Sequence, residues 1–207
     1  VYELAKEDPR IFFIGSDLGA NTLDKFKEDM PSRFIMEGIS EANVVGMATG
    51  LAMEGKIVYV NTIATFITRR CYEQVVLDAS LHNVNVRLIG NGGGLVYAPL
   101  GPTHLAIEDL AIMRAIPNMT IVAPADADEM RRFMPQTVDH QGPIYIRLGK
   151  GYDPIVSNDD VPYEIGKAIP MRQGSDALIL TTGITLKTGL DAAGMLQEQG
   201  INAGVLH

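Results

Sequence analysis

The chain has no tryptophan and a single cysteine, Cys71, so it holds no internal disulfide and is not a disulfide-stapled secreted domain. Basic residues are in deficit: 17 Lys and Arg stand against 25 Asp and Glu, a net charge of −8. That balance argues against nucleic acid as a partner, because phosphate recognition needs clustered cations. No apolar run reaches the roughly 20 residues of a membrane-spanning helix, and no signal-peptide pattern opens the chain. His82, His104, His140 and His207 show no ligand spacing with one another or with Cys71, so no metal site is expected. A reducing, cytoplasmic setting is the expectation. What is present is ordinary globular material: 207 residues, 46% hydrophobic and 20% charged, enough for one large or two small domains with a real core. The chain opens without Met and stops inside the apolar run Ala203-Gly204-Val205-Leu206-His207, as a fragment of a longer polypeptide would.

Short apolar runs alternate with helical patterns. Strands are predicted at Ile11 to Ile14, Lys56 to Val60, Val86 to Gly90, Thr120 to Ala123 and Ile144 to Leu148. Helices are predicted near 41–53, 67–82, 106–116 and 126–139, the last with Asp126, Asp128 and Glu129 where a helix dipole favours acids. Near-continuous apolar strands alternating with helices imply an α/β fold, a mainly parallel sheet with helices on both faces. Residues 153–164 are polar and turn-rich and read as a linker. After them a strand from Ala177, a helix from about Leu186 and a strand near Ala203 form one βαβ unit, the start of a second α/β domain.

Few residues carry possible chemistry. Glu41 opens a helix of small and apolar residues in which Ala42, Gly46 and Gly50 recur every four positions, a face that another backbone could approach closely. A carboxyl held in apolar surroundings can keep or share a proton, which makes it a catalytic tool. The same pattern also fits an acid placed there for the dipole alone. The loop Gly90-Asn91-Gly92-Gly93-Gly94 completes no nucleotide-binding fingerprint and fits a strand-end loop at the mouth of a site. His104 sits on the stiff turn Gly101-Pro102-Thr103-His104, where imidazole could shuttle a proton or simply be solvated. Phe66 follows a strand and could stack on a flat ring or belong to the core. Arg69, Arg70, Arg147 and Lys150 are possible anion contacts, with surface solvation as the alternative.

Their order is more specific than any one of them. Asp17-Leu18, Gly38-Ile39-Ser40-Glu41-Ala42, Phe66, Gly101-Pro102-Thr103-His104, Glu108-Asp109-Leu110, Arg114-Ala115-Ile116-Pro117-Asn118, Pro124-Ala125-Asp126 and Gly142-Pro143-Ile144-Tyr145-Ile146-Arg147 follow one another as they do in one family. The set resembles the pyrimidine-binding domain of transketolases and the related deoxyxylulose-phosphate synthases, from about residue 10 to 151. On this resemblance residues 1–152 form that domain, and 165–207 the beginning of the transketolase C-terminal domain.

The resemblance implies a thiamine-diphosphate-dependent transferase that moves a two-carbon ketol unit between a ketose and an aldose, with phosphorylated sugars expected. Glu41 matches the glutamate that bonds the aminopyrimidine nitrogen, and Phe66 the aromatic stacked on that ring. Ile63 and Arg69 fall at neighbouring pocket positions, and Asp17 and Leu18 near the thiazolium. His104 matches an active-site histidine that contacts substrate, and Lys150 stands where an arginine usually binds its phosphate. The sequence also departs from the pattern: Leu100 replaces an acid that recognises a sugar hydroxyl, a glycine at about Gly92 replaces a histidine, and Ser40 and Ala42 flank Glu41 where Arg and a larger residue are common. The family's Gly-Asp-Gly…Asn motif for diphosphate and Mg²⁺ is not in this sequence. A diphosphate-binding domain or subunit is therefore an expected partner, in a homodimer or heterotetramer. A deoxyxylulose-phosphate-synthase-like or E1β-like decarboxylating enzyme and a non-catalytic interaction module are the alternatives.

Overall fold

The computed structural model describes residues 1–16, 23–157, 160 and 162–207. In chain order the elements are α1 (Tyr2–Glu7), β1 (Ile11–Gly15), α2 (Asp24–Asp29), β2 (Phe34–Met36), α3 (Glu41–Met53), β3 (Ile57–Ile63), α4 (Ala64–Thr68) and α5 (Tyr72–Gln74). Then come β4 (Val86–Asn91), α6 (Asp109–Arg114), β5 (Thr120–Val122), α7 (Ala127–Phe133), α8 (Gln136–Asp139), β6 (Ile144–Arg147), β7 (Pro170–Arg172), β8 (Ala177–Leu180), α9 (Thr185–Glu198) and β9 (Ala203–Leu206). They form two compact units, one of Val1–Val122 with Thr137–Leu148 and one of Ala123–Gln136 with Gly149–His207.

The first unit is built on a six-stranded sheet in the order β2-β1-β3-β4-β6-β5, every pairing parallel. Its central strands read as continuous apolar runs because both faces are covered. On one face Val58, Val60, Val86 and Leu88 pack with Val44, Val45 and Ala48 of α3, Ile67 of α4 and Met113 of α6. The alternate residues serve the other face, where Phe13 stacks on Phe34 with centroids 5.3 Å apart and Phe26 closes the cluster. Arg87 belongs to this second face and is fully buried. Its guanidinium donates to the carbonyls of Thr137 (2.8 Å), Gly142 (2.6 Å) and His140 (2.6 Å), so the turn entering β6 is held without a carboxylate. Burial pulls the Arg87 guanidinium down to about 10.

The α/β architecture is as the sequence implies, with differences at the margins. The helix expected over 67–82 is broken into α4, α5 and a π-helical stretch over Val75–Ser80. The three-residue edge strand β2 and the short helices α1 and α2 carry too few periodic residues to announce themselves.

In the second unit β8, α9 and β9 make the expected βαβ, with Ala177 opposite Ala203 and Leu180 opposite Leu206. The unforeseen β7 joins β9 antiparallel, giving the order β7-β9-β8. Leu186 and Ala193 of α9 bury against Ala203 and Val205. Asp126 caps α7 by accepting from Glu129 N at 2.9 Å, and also accepts from Val156 N, Ser157 N and Ser157 Oγ at 2.7–2.8 Å.

Candidate active site

A parallel sheet turns all its strand carboxyl ends to one edge, and ligands favour the point where strand order reverses. Here the chain leaves β1 toward β2 on one side and returns to β3 on the other. At that point Ser16 Oγ donates to Thr62 Oγ1 at 2.8 Å, and one strand over Asn91 Nδ2 donates to Asn61 Oδ1 at 3.0 Å. Asp17 and Leu18 come next in the chain and lie outside the described residues.

Glu41 is the first residue of α3 and only 1% exposed. An acid serving the helix dipole alone would sit in water, so the buried alternative is the one the fold adopts. Arg70 meets it: Nη1 donates to Glu41 Oε2 at 2.8 Å. The same guanidinium lies over the face of Phe66, 4.1 Å from the ring centroid. Phe66 and Arg70 are four residues apart at the end of α4, the spacing that puts two side chains on one helical face. The backbone there is widened, since Arg69 N (3.1 Å) and Arg70 N (3.4 Å) both donate to Thr65 O.

His104 approaches Phe66 from the neighbouring turn, with ring centroids 5.1 Å apart and planes at 66°. Gly101 takes φ +78°, a conformation glycine adopts without strain, and its carbonyl accepts from His104 N at 3.0 Å. Thr103 Oγ1 bonds His104 Nδ1 at 2.8 Å, and Tyr97 sets its ring edge-on at 6.4 Å. Arg69 clamps this turn: Nη2 donates to Pro102 O at 2.8 Å while Nε pairs with Glu108 at 3.0 Å. Thr65 Oγ1 adds a bond to Thr103 O at 2.9 Å. The helix carrying Phe66 and the turn carrying His104 are thereby locked together.

Buried polar groups back the glycine-rich loop. Asp109, 1% exposed, accepts from Tyr145 Oη at 2.7 Å and from Arg147 Nε at 2.8 Å. Burial, reinforced by the Asp109 charge, pushes the Tyr145 phenol well above its ordinary range. Arg147 Nη2 also donates to Ala106 O at 3.1 Å, and Gly94 and Ala106 exchange backbone bonds. Gly93 is glycine for a reason, because a Cβ there would lie 2.5 Å from Arg147 Nε. Gly92 is pressed by the Tyr97 ring in the same way. Leu100 ends a 3₁₀ turn, 56% exposed.

Of the residues singled out from sequence, Glu41, Phe66 and His104 therefore converge. Ile63 is half-buried and ends β3 directly before α4. Arg69 holds the His104 turn, and the cation at the Glu41–Phe66 pair is Arg70. Lys150 is an exposed residue of the second unit. From sequence Arg70 is a possible anion contact on the same footing as Arg69, and Tyr97 carries no signal. Cys71 is buried, donates to Ile67 O at 3.1 Å and is pushed up to about 12, by burial first and the Glu41 charge second, so it is no nucleophile. Among the described residues no group of three or more His, Cys, Asp or Glu could hold a metal ion.

Chemically, a buried carboxylate and an aromatic face stand far enough apart to hold one flat group by its edge and its face. The Arg70 guanidinium shows that a planar group fits there, and an aminopyrimidine is likewise planar, with an edge nitrogen that would accept a hydrogen bond from the protonated carboxyl.

Comparison with known proteins identifies the family. Residues 1–152 match the family described as transketolase, pyrimidine binding domain. The chain is 39% identical over 206 residues to a 6-deoxy-6-sulfo-D-fructose transketolase subunit of Clostridium sp. (strain MSTE9), covering 99% of this chain and 64% of that protein. It is 38% identical to one of the apulose-4-phosphate transketolase subunits of Phocaeicola vulgatus, covering 99% of this chain and 66% of that protein. It is also 37% identical to 1-deoxy-D-xylulose-5-phosphate synthase of Microcystis aeruginosa, covering 99% of this chain and 33% of that protein. Among solved structures, a split-gene transketolase described as an inactive beta4 tetramer superposes with a TM-score of 0.89 at 36% identity, over 99% of this chain and 66% of that one. The chain thus spans less than two thirds of the first of these relatives.

Proposed function

The chain belongs to the transketolase family, and on that premise we propose that it supplies the pyrimidine-binding half of a thiamine-diphosphate site in an enzyme transferring a two-carbon ketol unit between a ketose and an aldose. The observation that carries this reading is the paired grip of Glu41 and Phe66 on one planar group. Bound thiamine diphosphate supplies the nucleophilic carbon and electron sink that cleavage of a carbon–carbon bond beside a carbonyl requires. The chain's own part is to orient and polarise it. Glu41, buried and fixed at the start of α3, bonds the aminopyrimidine ring nitrogen and holds a proton at that contact. Phe66 takes the ring face, and Ile63, which ends β3 directly before α4, adds to the wall beside it. His104, held by Thr103, Phe66 and Tyr97, bonds the substrate. A diphosphate-binding domain or subunit, carrying the Mg²⁺ ligands, completes the site in a homodimer or heterotetramer. The subunit designations of the two transketolase relatives support a split arrangement.

A second reading, decarboxylation in the manner of a deoxyxylulose-phosphate synthase, has its own support in the 37% identity to such an enzyme and in Leu100, which is no hydroxyl-binding acid. Titrating the intact enzyme with thiamine diphosphate and Mg²⁺ tests the common ground, and saturable binding is expected. No binding would leave a non-catalytic module as the better account. CO₂ release from pyruvate alone would favour the second reading over two-carbon transfer.

A further inference from the structure

Arg70 is where the proposed function puts a ring. Its guanidinium is planar and delocalised, with N–H donors along its edge and a face that stacks on aromatics. Glu41 takes the edge at 2.8 Å and Phe66 the face at 4.1 Å. These are the two contacts assigned above to the cofactor's aminopyrimidine, and both cannot be made twice. Phe66 offers this face to Arg70, while the imidazole of His104 meets the Phe66 ring edge-on.

We propose, resting on the function argued above, that Arg70 is a self-supplied occupant of the aminopyrimidine position, which keeps Glu41 and Phe66 in binding geometry before the cofactor arrives and must leave for it to enter. Three features support departure of this side chain in particular. Its side chain is 46% exposed while that of Glu41 is 2% exposed, so the arginine opens onto water and the carboxylate does not. Its neighbour Arg69 is tied to Pro102 O and Glu108, so the turn stays in place when residue 70 moves. The widened backbone at Thr65, with its longer 3.4 Å bond from Arg70 N, places the residue in the turn just past α4. A side-chain rotation clears the site, and Glu41 is not left unpaired, because its carboxylate takes up a proton from water and donates it to the incoming ring nitrogen.

This differs from a purely structural ion pair in what it predicts. A structural pair, once removed, leaves a destabilised site that binds cofactor no better. A competing occupant, once removed, lets cofactor bind more tightly. The test is calorimetric titration of the intact enzyme with thiamine diphosphate and Mg²⁺, comparing the native protein with Arg70→Met and Arg70→Lys. The lysine variant keeps the charge but loses the planar stack, which controls for attraction of the diphosphate. Arg70→Met should lower Kd about tenfold, the factor that ~1.4 kcal/mol of released competition represents, with Arg70→Lys between it and the native protein. Native protein that binds while neither variant binds more tightly would overturn the displacement of Arg70 and leave the proposed function standing. Folded, assembled enzyme that binds no thiamine diphosphate in any of the three forms would overturn the proposed function, and this inference with it.

Discussion

Replacing Asp109 with alanine should loosen the floor of the site without touching Glu41 or Phe66. Asp109 is 1% exposed and accepts from both Tyr145 Oη and Arg147. Removing its carboxylate leaves a fully buried phenol without that acceptor and a guanidinium, 15% exposed, without its counter-charge. Breaking a buried pair by deleting one partner costs about 3–5 kcal/mol. Arg147 keeps its bond to Ala106 O and some water, so the low end, about 3 kcal/mol, is expected. For a chain of this size that lowers the thermal midpoint by roughly 6–12 °C. Asp109→Asn keeps an acceptor for Tyr145 and should lose about half as much. Urea unfolding gives the totals, and hydrogen exchange locates them: the Gly94 and Ala106 amides, which bond each other's carbonyls, should lose protection first. A cost below about 1 kcal/mol for the alanine variant would refute the claim that this network backs the glycine-rich loop.

Gly92→Ala meets two obstacles, a left-handed φ of +78° and the Tyr97 ring, which occupies the space of the new Cβ. The backbone alone costs about 1–2 kcal/mol, and a double-mutant cycle should show Tyr97→Ala relieving the remainder; additive costs would refute the contact. Cys71, fully buried and pushed up to about 12, should react with a thiol reagent only at the rate of unfolding, and prompt labelling of the native protein would count against the core placement. Burial pushes the Asp126 carboxyl up, but bonds from Glu129 N, Val156 N, Ser157 N and Ser157 Oγ outweigh it and hold it below the ordinary value. A depressed carboxyl stabilises the fold above its unfolded pKa, about 3.9, and that stability is lost as pH falls through the lower folded value. Asp126→Asn should therefore flatten the acid limb of the stability profile, and an unchanged limb would contradict the assignment.

What the sequence made legible follows from how locally each feature is encoded. Helix α3 spans 41–53 as anticipated, because a small apolar run is bounded by Ser40 before it and by Gly55 with φ +80° after it. The central strands were visible because burial on both faces makes them apolar throughout, and Arg87 is the one polar interruption in that pattern of β4 apart from its end. The break at 69–71 was not visible, since it depends on shared bonds to Thr65 O rather than on any helix-breaking residue. The site divides in the same way. Glu41, Phe66 and His104 could be found from their order along the chain. Arg70 could be told from Arg69 only by three-dimensional placement, one facing the acid and the other the turn at Pro102. Nor does composition reveal that Gly92 is small because Tyr97 lies against it.

The central claim is that Glu41 works on thiamine diphosphate rather than serving the fold. Glu41→Gln keeps size and hydrogen bonding but carries no exchangeable acid, so turnover of the intact enzyme with saturating cofactor measures that role directly. A fall of about 10²-fold or more, the scale of general acid–base catalysis, with the thermal midpoint and cofactor binding retained, is the predicted result. Turnover equal to that of the native enzyme would contradict the account.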